Sequence, residues 1–370
     1  MSLQTVAIIG AGNGGHAAAA ELALMGYTVR MHDVDPDVVA GIASRGGVEV
    51  SGVMSGFGPV AFAGTDLAQV VEGAEYIMVI TARFAHARIA EALAPLLRED
   101  AALLLNPGSS CGALEFAKVL REKGCRTSVS TTATLPYAAR VEEPGRVRVT
   151  LLARTLFFAT FPGRETETEA RRWGRLFPEL EPMSSDLEVS LNNGNPITHP
   201  APMLLNAARI ENTKGDFLFY REGTSPSVVR VSEALDRERL ALCRALGLAE
   251  IPATERLYRL GYAEKIYPTL LEVYKNSQAF GPIKAPESMD YRYVYEDIPY
   301  GSVFFASLGR MLGVPTPATD TIVDLAGLMT GQDFRKTGLT LASLGLEGLE
   351  AGEFMEFLKT GRSTKVTWSD

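Results

Sequence analysis

The feature that most constrains this chain is a glycine-rich turn near its N-terminus. An apolar run at residues 6–9 leads directly into Gly10-Ala11-Gly12-Asn13-Gly14-Gly15, and an alanine-rich segment, residues 16–25, follows. The apolar run predicts a buried strand and the alanine-rich segment a helix. Glycines at the first, third and sixth positions of the turn allow a tight bend, a close approach of a ligand to the backbone, and close packing of helix on strand. The sequence therefore predicts a strand–turn–helix unit at the start of the chain.

This unit has the pattern of a dinucleotide-binding loop. The free amides at the N-terminus of the predicted helix would face a pyrophosphate, and the candidates for that contact are Gly10, Gly12, Asn13, Gly14 and Gly15. Residues 28–32 predict the next strand, and Asp33 follows it, where a carboxylate can accept hydrogen bonds from both ribose hydroxyls of an adenosine. A carboxylate repels a 2′-phosphate and so favours NAD; Arg30 and His32 lie nearby, which keeps NADP as an alternative. The competing interpretation is a tight turn that binds no ligand.

Strand and helix patterns alternate along the first half of the chain. Further strands are predicted at residues 76–80, 101–105 and 127–131, with helical stretches at residues 85–97 and 113–123. Parallel neighbours need long crossover connections, so this alternation predicts a parallel sheet of the Rossmann type. Residues 48–62, rich in glycine and valine, look like an inserted hairpin.

After about residue 182 the pattern becomes helical, with long amphipathic stretches such as residues 227–246 and 253–271. The predicted fold class is α/β: an N-terminal Rossmann dinucleotide-binding domain, residues 1–185, followed by an all-α substrate-binding and catalytic domain, residues 186–370. Exposed apolar helix faces in the second half are compatible with a homodimer.

Composition excludes several classes of partner. Lys and Arg number 36 and Asp and Glu 44, for a net charge of -8 in 370 residues, so the chain has no general attraction for nucleic acid or anionic lipid. Its three cysteines lack metal-ligand spacing, which predicts no metal site and a reducing compartment. No apolar run approaches the roughly 18 residues that span a bilayer. We expect a cytoplasmic protein.

A second candidate loop, Asn106-Pro107-Gly108-Ser109-Ser110, follows the strand at residues 101–105. In parallel sheets, ligands bind beyond the carboxyl ends of the strands. Pro107 and Gly108 are therefore counted as cofactor-binding, since amides and hydroxyls of this loop could hold a nicotinamide or a carboxylate. Ser109 or Ser110 could also cap the next helix, and both interpretations can hold together.

One histidine stands out as a general acid or base. Among four histidines, His16 lies in the cofactor helix, His32 at a strand end, and His86 in what we expect to be a surface helix. His199 lies in Asn195-Pro196-Ile197-Thr198-His199-Pro200, at the start of a helix, and its ordinary pKa suits proton transfer near neutrality. The alternative is a capping or core histidine.

Asp320 is the candidate partner for this imidazole. It follows Pro315-Thr316-Pro317 where a loop becomes a helix. It could orient His199 by accepting the other ring proton, or it could be an ordinary helix-start acid with Thr316 or Thr319 as the cap.

Several ordered motifs give the chain a resemblance to the opine dehydrogenases, the octopine/nopaline dehydrogenase family. They are the glycine turn, Asn106-Pro107-Gly108, residues 134–140, residues 195–206, residues 220–233, Glu296-Asp297-Ile298-Pro299-Tyr300-Gly301, and residues 314–320. The resemblance implies NAD(P)H-dependent, reversible condensation of an L-amino acid with a 2-oxo acid such as pyruvate, through an imine. It also implies that His199 and Asp320 are catalytic and that Thr134, Arg140 and Asn206 bind substrate. Tyr291 stands where the family pattern has a histidine.

Two other functions compete with this one. A ketopantoate reductase or glycerol-3-phosphate dehydrogenase type of enzyme would reduce a 2-oxo acid or a polyol-phosphate ketone directly, and its NADH oxidation would need no amine. A regulator that senses NAD would bind the nucleotide without turnover.

Overall fold

A mixed sheet organises the first half of the protein. The computed structural model describes residues 4–368. Eleven strands lie in that range: β1 (Thr5–Ile9), β2 (Thr28–His32), β3 (Gly47–Gly52), β4 (Gly56–Gly64), β5 (Tyr76–Val79), β6 (Ala102–Leu105), β7 (Val129–Thr132), β8 (Tyr137–Glu143), β9 (Arg146–Leu152), β10 (Leu156–Phe161) and β11 (Leu180–Pro182). Their order across the sheet is β11-β10-β7-β6-β5-β1-β2-β4-β3-β9-β8.

The six central strands have the Rossmann arrangement. Strands β4, β2, β1, β5, β6 and β7 lie side by side and parallel. The chain starts with β1 in the middle, builds outward to one side, and then returns to build outward on the other side from β5. This reversal makes the carboxyl edge between β1 and β5 the switch point, where folds of this kind bind nucleotides.

The predicted hairpin around residues 48–62 is present, but it is part of the central sheet. Strands β3 and β4 pair antiparallel, with Val48 opposite Gly58. Strand β4 also pairs parallel to β2, so it is the third strand of the Rossmann unit and the hairpin is no insertion. Strands β9 and β8 continue the sheet beyond β3, and β10 and β11 continue it beyond β7.

Helices connect the strands of this half: α1 (Asn13–Leu24), α2 (Pro36–Arg45), α3 (Leu67–Val71), α4 (His86–Leu93), α5 (Gly112–Glu122) and α6 (Thr166–Trp173). Helix α1 lies close to the sheet because its buried face is alanine: residues 17–20 are fully buried. A Cβ on Gly58 of β4 would lie 2.6 Å from the Cα of Ala20, so small residues on both sides set this spacing.

The second half is helical. Its helices are α7 (Asp186–Leu191), α8 (Asn195–Thr198), α9 (Pro200–Leu205), α10 (Ala207–Thr213), α11 (Phe219–Glu222), α12 (Pro226–Ala245), α13 (Ala253–Leu260), α14 (Leu270–Asn276), α15 (Arg292–Tyr295), α16 (Val303–Leu312), α17 (Pro317–Thr330), α18 (Phe334–Thr337) and α19 (Ala351–Thr360), with a π-helical turn at Asp297–Ser302. The helix predicted at residues 253–271 is interrupted. Gly261, with φ of 92°, ends α13 in the left-handed conformation that glycine provides at helix C-termini.

Contacts divide the chain into two compact units. The first unit contains the chain up to Val189, the segment Leu358–Gly361 and the chain from Thr367; the second contains Ser190–Phe357 and Arg362–Val366. The division lies inside α7, and two short C-terminal segments group with the first unit. A Rossmann unit followed by a helical unit confirms the predicted fold class. Within residues 4–368, no helix is long and apolar enough to cross a membrane.

Candidate active site

In the glycine turn between β1 and α1, two glycines are crowded by backbone atoms and one is open. A Cβ on Gly10, whose φ is 104°, would lie 2.3 Å from the Ile80 carbonyl oxygen, and a Cβ on Gly15 would lie 1.9 Å from the Gly10 carbonyl oxygen. Gly12 is exposed, and a Cβ there would meet no atom of the described chain within 4 Å. Gly10 and Gly15 are therefore required by the fold, whereas Gly12 leaves backbone accessible to a ligand.

The N-terminus of α1 is open to an anion. Gly12 caps the helix without a side-chain hydrogen bond, and the first turn carries no acidic residue, so its amides and the positive end of the helix dipole can face negative charge. Asp33 stands beside this turn: its Oδ2 accepts the Ala11 amide at 2.6 Å, and its Oδ1 accepts the Asp35 amide at 3.0 Å. Each carboxylate oxygen keeps a second lone pair, which suits the two hydroxyls of a ribose.

Two polar side chains of the turn take part in the fold. Asn13 Oδ1 accepts the Val141 amide at 2.8 Å, and His16 Nε2 accepts the Gly145 amide at 3.0 Å. Burial lowers the pKa of His16, so the ring stays a neutral acceptor. Both bonds fasten α1 to the β8–β9 hairpin, and Asn13 can offer a ligand its backbone amide.

The loop after β6, which carries Pro107 and Gly108, is largely buried and tightly held. The Gly108 amide donates to the Thr132 carbonyl at 3.1 Å, and a Cβ on Gly108 would lie 1.9 Å from Thr131 Oγ1. Ser109 and Cys111 have φ values of 55° and 48°, a left-handed conformation that costs free energy outside glycine. Strained backbone persists only where surrounding contacts hold it in place, and it is common at ligand-binding sites.

Thr134 lies in the connection between β7 and β8, and Arg140 lies in β8. Thr134 is half-buried, and its carbonyl accepts the Thr132 hydroxyl at 2.9 Å. Arg140 is exposed on β8, next to Val141, whose amide bonds Asn13. Their substrate-binding roles stay predictions.

In the second unit, His199 and Asp297 form a buried pair. His199 lies between α8 and α9, whose first turns contain Pro196 and Pro200, and proline at these positions fixes where each short helix begins. His199 Nδ1 is 2.7 Å from Asp297 Oδ2, and the two residues are 8% and 3% exposed. A carboxylate at Nδ1 favours the tautomer with a lone pair on Nε2, which is the arrangement of an oriented general base.

The prediction that Asp320 partners His199 is wrong. Asp320 lies in the first turn of α17, where its Oδ1 is 2.7 Å from an Arg335 nitrogen and its Oδ2 accepts the Thr316 hydroxyl at 3.3 Å. Its carboxylate is 37% exposed, so it is an ordinary helix-start acid, the alternative that the sequence left open. Asp297 belongs to the aromatic and charged cluster at residues 291–297, but no local pattern links it to a histidine 98 residues earlier.

Aromatic rings enclose the imidazole. The His199 ring lies over the Tyr293 ring, with centroids 3.8 Å apart and planes 22° from parallel. The Tyr220 ring is 6.4 Å from His199, and its hydroxyl hydrogen-bonds the Tyr293 phenol. Burial raises the pKa of both phenols, so they stay protonated. Tyr291, which is 39% exposed, packs edge-on against Tyr293 at 4.9 Å.

Two other sequence-predicted positions have different surroundings. Asn206 Nδ2 donates to the carbonyls of Pro202 and Gly223, each at 2.8 Å, which ties the helix after His199 to the end of α11. His86 was expected on a surface helix, but it is fully buried between α4 and α5, where burial and Arg83 hold its pKa well below the usual value. That prediction is wrong because α4 packs its first turn against α5.

Comparison with known proteins identifies the family. The model of the α-helical domain of NAD/NADP octopine/nopaline dehydrogenases matches residues 182–330. An opine dehydrogenase from Arthrobacter sp. (strain 1C) is 36% identical over 350 residues, which are 94% of this chain and 97% of the relative. The chain belongs to the opine dehydrogenase family. The resemblance drawn from the sequence motifs is thereby confirmed.

Solved structures agree with this opine dehydrogenase assignment at the level of the fold. An octopine dehydrogenase in a structure with NADH and L-arginine has a TM-score of 0.77 at 20% identity and covers 97% of this chain and 98% of its own. A ketopantoate reductase from Ralstonia eutropha has a TM-score of 0.56 at 19% identity, covering 88% of this chain and 98% of its own. Membership of this family makes the chain an NAD(P)-dependent dehydrogenase, as predicted.

Proposed function

We propose that this enzyme joins the amino group of an L-amino acid to a pyruvate-like 2-oxo acid and reduces the resulting imine, in a reversible reaction that gives a secondary amine dicarboxylate. The observation that carries the proposal is the contact of 2.7 Å between His199 Nδ1 and Asp297 Oδ2. It supplies an oriented base in a chain whose family model is described as octopine/nopaline dehydrogenase. L-Arginine and NADH, the ligands of the octopine dehydrogenase structure, belong to the same substrate and cofactor classes.

His199 moves the protons of the condensation. An amino acid arrives as an ammonium group, which cannot attack a carbonyl until it loses a proton. His199 Nε2 takes that proton, and the neighbouring Asp297 carboxylate stabilises the imidazolium that forms. The nitrogen then bonds the carbonyl carbon, and a proton passes from this nitrogen to the former carbonyl oxygen. The protonated ring gives its proton to the resulting hydroxyl, which leaves as water, and the product is the protonated imine.

The residues of the first unit fit a dinucleotide. The open backbone at Gly12 and the uncapped turn of α1 suit the pyrophosphate, and Asp33 suits the adenosine ribose. When bound, the cofactor supplies the hydride that reduces the imine carbon. Pro107 and Gly108, in the buried loop after β6, are the residues that we assign to the nicotinamide side.

We infer a preference for NADH over NADPH. The Asp33 carboxylate would repel a 2′-phosphate, and Arg30, the nearest candidate cation, donates to the carbonyls of Gln69 and Glu72. His32 has its pKa lowered by burial, so it brings no positive charge near neutral pH. We expect kcat/KM to be higher for NADH by at least about tenfold, because the Asp33 carboxylate would repel a 2′-phosphate while the NH1 group of Arg30 is held by the carbonyls of Gln69 and Glu72.

We also infer that the enzyme works in a reducing compartment such as the cytoplasm. Cys111 and Cys243 are buried, and Cys125 is partly buried. The chain has only three cysteines, an odd number without metal-ligand spacing, and such sparse use of cysteine is typical of proteins kept under reducing conditions.

An NADH-oxidation screen of amino acids crossed with 2-oxo acids tests the proposed reaction. We expect oxidation only when both an amine and an oxo acid are present. Oxidation by the oxo acid alone would instead support direct carbonyl reduction, and NADH binding without turnover across the whole panel would support a sensor.

The H199Q variant tests the proposed base. We expect kcat to fall by about 10²–10⁴, the usual contribution of a general acid–base group, while the Kd for NADH changes less than twofold. Normal turnover in this variant would remove His199 from the chemistry.

A further inference from the structure

We propose that Arg83 is a positioning residue that holds the loop at residues 106–111 in the shape needed by the nicotinamide end of the cofactor. The inference rests on the proposed function, since it assumes that the enzyme binds NADH. Arg83 lies outside every motif that the sequence analysis singled out. Its guanidinium is fully buried in the first unit, where an unpaired cation would be strongly disfavoured.

The topology places this loop on the nicotinamide side. Asp33 follows β2, so the adenosine end of a dinucleotide belongs on the β2 side of the switch point between β1 and β5. The other half of the cofactor must then extend over the carboxyl ends of β5 and β6. Residues 106–111 follow β6 directly and connect it to α5.

One guanidinium contacts both the loop and the helix after it. The Arg83 NH1 group forms an ion pair with Glu115 of α5. Its Nε lies 3.4 Å from the Ser110 carbonyl oxygen, and its NH2 group lies 3.5 Å from the Cys111 carbonyl oxygen. A planar guanidinium has several N–H donors and can contact these three oxygen acceptors at once, whereas the ammonium group of a lysine cannot reach them in the same geometry.

The contacted backbone is the strained part of the loop. Ser109 and Cys111 are both left-handed, with φ of 55° and 48°, and Arg83 contacts the carbonyls of Ser110 and Cys111. Strained backbone relaxes unless its surroundings fix it. Arg83 is well placed to fix this backbone beside the cofactor, because the segment that carries Arg83 also packs against the glycine turn. A Cβ on Gly10 would lie 2.8 Å from Thr81 Cγ2.

Binding of NADH and of ADP-ribose, measured by calorimetry, tests the proposal without relying on turnover. ADP-ribose has the adenosine, pyrophosphate and second ribose of the cofactor but lacks the nicotinamide. The main variant is R83M/E115L, because replacing a buried cation together with its carboxylate partner by apolar side chains leaves no unpaired charge and usually preserves the fold. We expect its Kd for NADH to rise about tenfold and its Kd for ADP-ribose to change less than twofold. R83K, which keeps the charge opposite Glu115 but loses the fork, should show the same selective loss.

R172M is the matched control. The Arg172 NH2 group also contacts two backbone carbonyls, those of Glu75 and Asp100, at the opposite, amino edge of strands β5 and β6. We expect it to leave both dissociation constants unchanged, whatever its effect on Tm. Equal weakening of NADH and ADP-ribose in R83M/E115L and R83K, or no weakening of either, would overturn the role of Arg83. Failure of the wild-type protein to bind NADH would instead refute the proposed function on which this role rests.

Discussion

The glycine turn and the His199 pair are two ways of building a functional surface. Between β1 and α1, the surface consists of backbone from one continuous stretch of chain, and two of its glycines are fixed by contacts of 1.9 and 2.3 Å that a Cβ would make. Around His199, the surface consists of side chains from separate helices: an imidazole, a carboxylate from the π-helical turn, and phenol rings from α11 and α15. Function in the first region depends on the side-chain atoms that glycine lacks, whereas function in the second depends on which side chains are in contact. Substitutions that add atoms should therefore impair the glycine turn, and substitutions that remove atoms should impair the His199 pair.

After His199 itself, the largest effect is expected at Asp297. In D297N the neutral amide no longer stabilises an imidazolium and can hold the ring in the wrong tautomer, so we expect kcat to fall by about 10²–10³ with the Kd for NADH unchanged. The matched control is D320N, which removes an exposed acid paired with Arg335 and should stay within twofold of wild type. Steady-state kinetics of both variants would decide between the two aspartates, because equal losses would contradict the assignment of Asp297.

The two regions also differ in how far the sequence predicts them. The glycine turn and Asp33 were predictable because the strand, the turn and the helix are adjacent in sequence and form a recognisable local pattern. Asp297 was not, because the 2.7 Å contact with His199 depends on how α8, α9 and the π-helical turn pack. The Pro-Thr-Pro motif pointed to Asp320 instead, with an ordinary helix-start acid as the alternative, because a local sequence pattern does not show which side chains are close in the folded chain.

A second test separates the crowded glycines from the open one. In G12A the added methyl meets no atom of the described chain, so we expect stability to change by less than about 1 kcal/mol, while the Kd for NADH rises about tenfold because the methyl occupies backbone that the pyrophosphate must approach. In G15A the methyl would overlap the Gly10 carbonyl, and we expect a lower Tm as well as weak binding. Thermal unfolding and NADH titration measure the two effects; normal NADH binding by G12A would show that the cofactor does not contact this position.

A third test concerns the ring beneath the imidazole. Tyr293 limits rotation of the His199 ring by stacking on it at 3.8 Å, and aromatic contacts of this kind contribute about 1 kcal/mol. We expect Y293L to lower kcat about fivefold, whereas Y293F, which keeps the ring and loses the hydroxyl, stays within twofold. If the two variants lose activity equally, the hydroxyl and its bond to Tyr220 matter more than the stack.

The buried histidine in the first unit shows a further limit of sequence reasoning. The pattern around His86 is that of an exposed helix, with charged residues at Arg83, Arg88 and Glu91. Arg83 is instead fully buried and pairs with the partly exposed Glu115, and His86 is buried against Phe116. A buried arginine is difficult to locate from sequence, because arginine and its glutamate partner are residue types that are typical of a protein surface.

The smallest expected effect is a pH dependence of the free energy of unfolding that arises from the buried His86. Burial and the Arg83 charge hold the pKa of His86 well below its value in the unfolded chain, so at pH 6 the unfolded chain binds a proton there that the folded protein does not. Stability from this group is complete above about pH 6.5 and is lost as the pH falls below it. The loss between pH 7.5 and 6.0 is about 0.8 kcal/mol for one neutral buried imidazole. We expect the free energy of unfolding to change less with pH in H86F than in wild type, by this amount. The pKa of half-buried His32 is also lowered, and we expect a smaller change of the same sign in H32F. Denaturant unfolding at the two pH values measures the difference, and an unchanged slope in H86F would mean that the His86 imidazole takes up its proton over the same pH range in the folded and the unfolded chain.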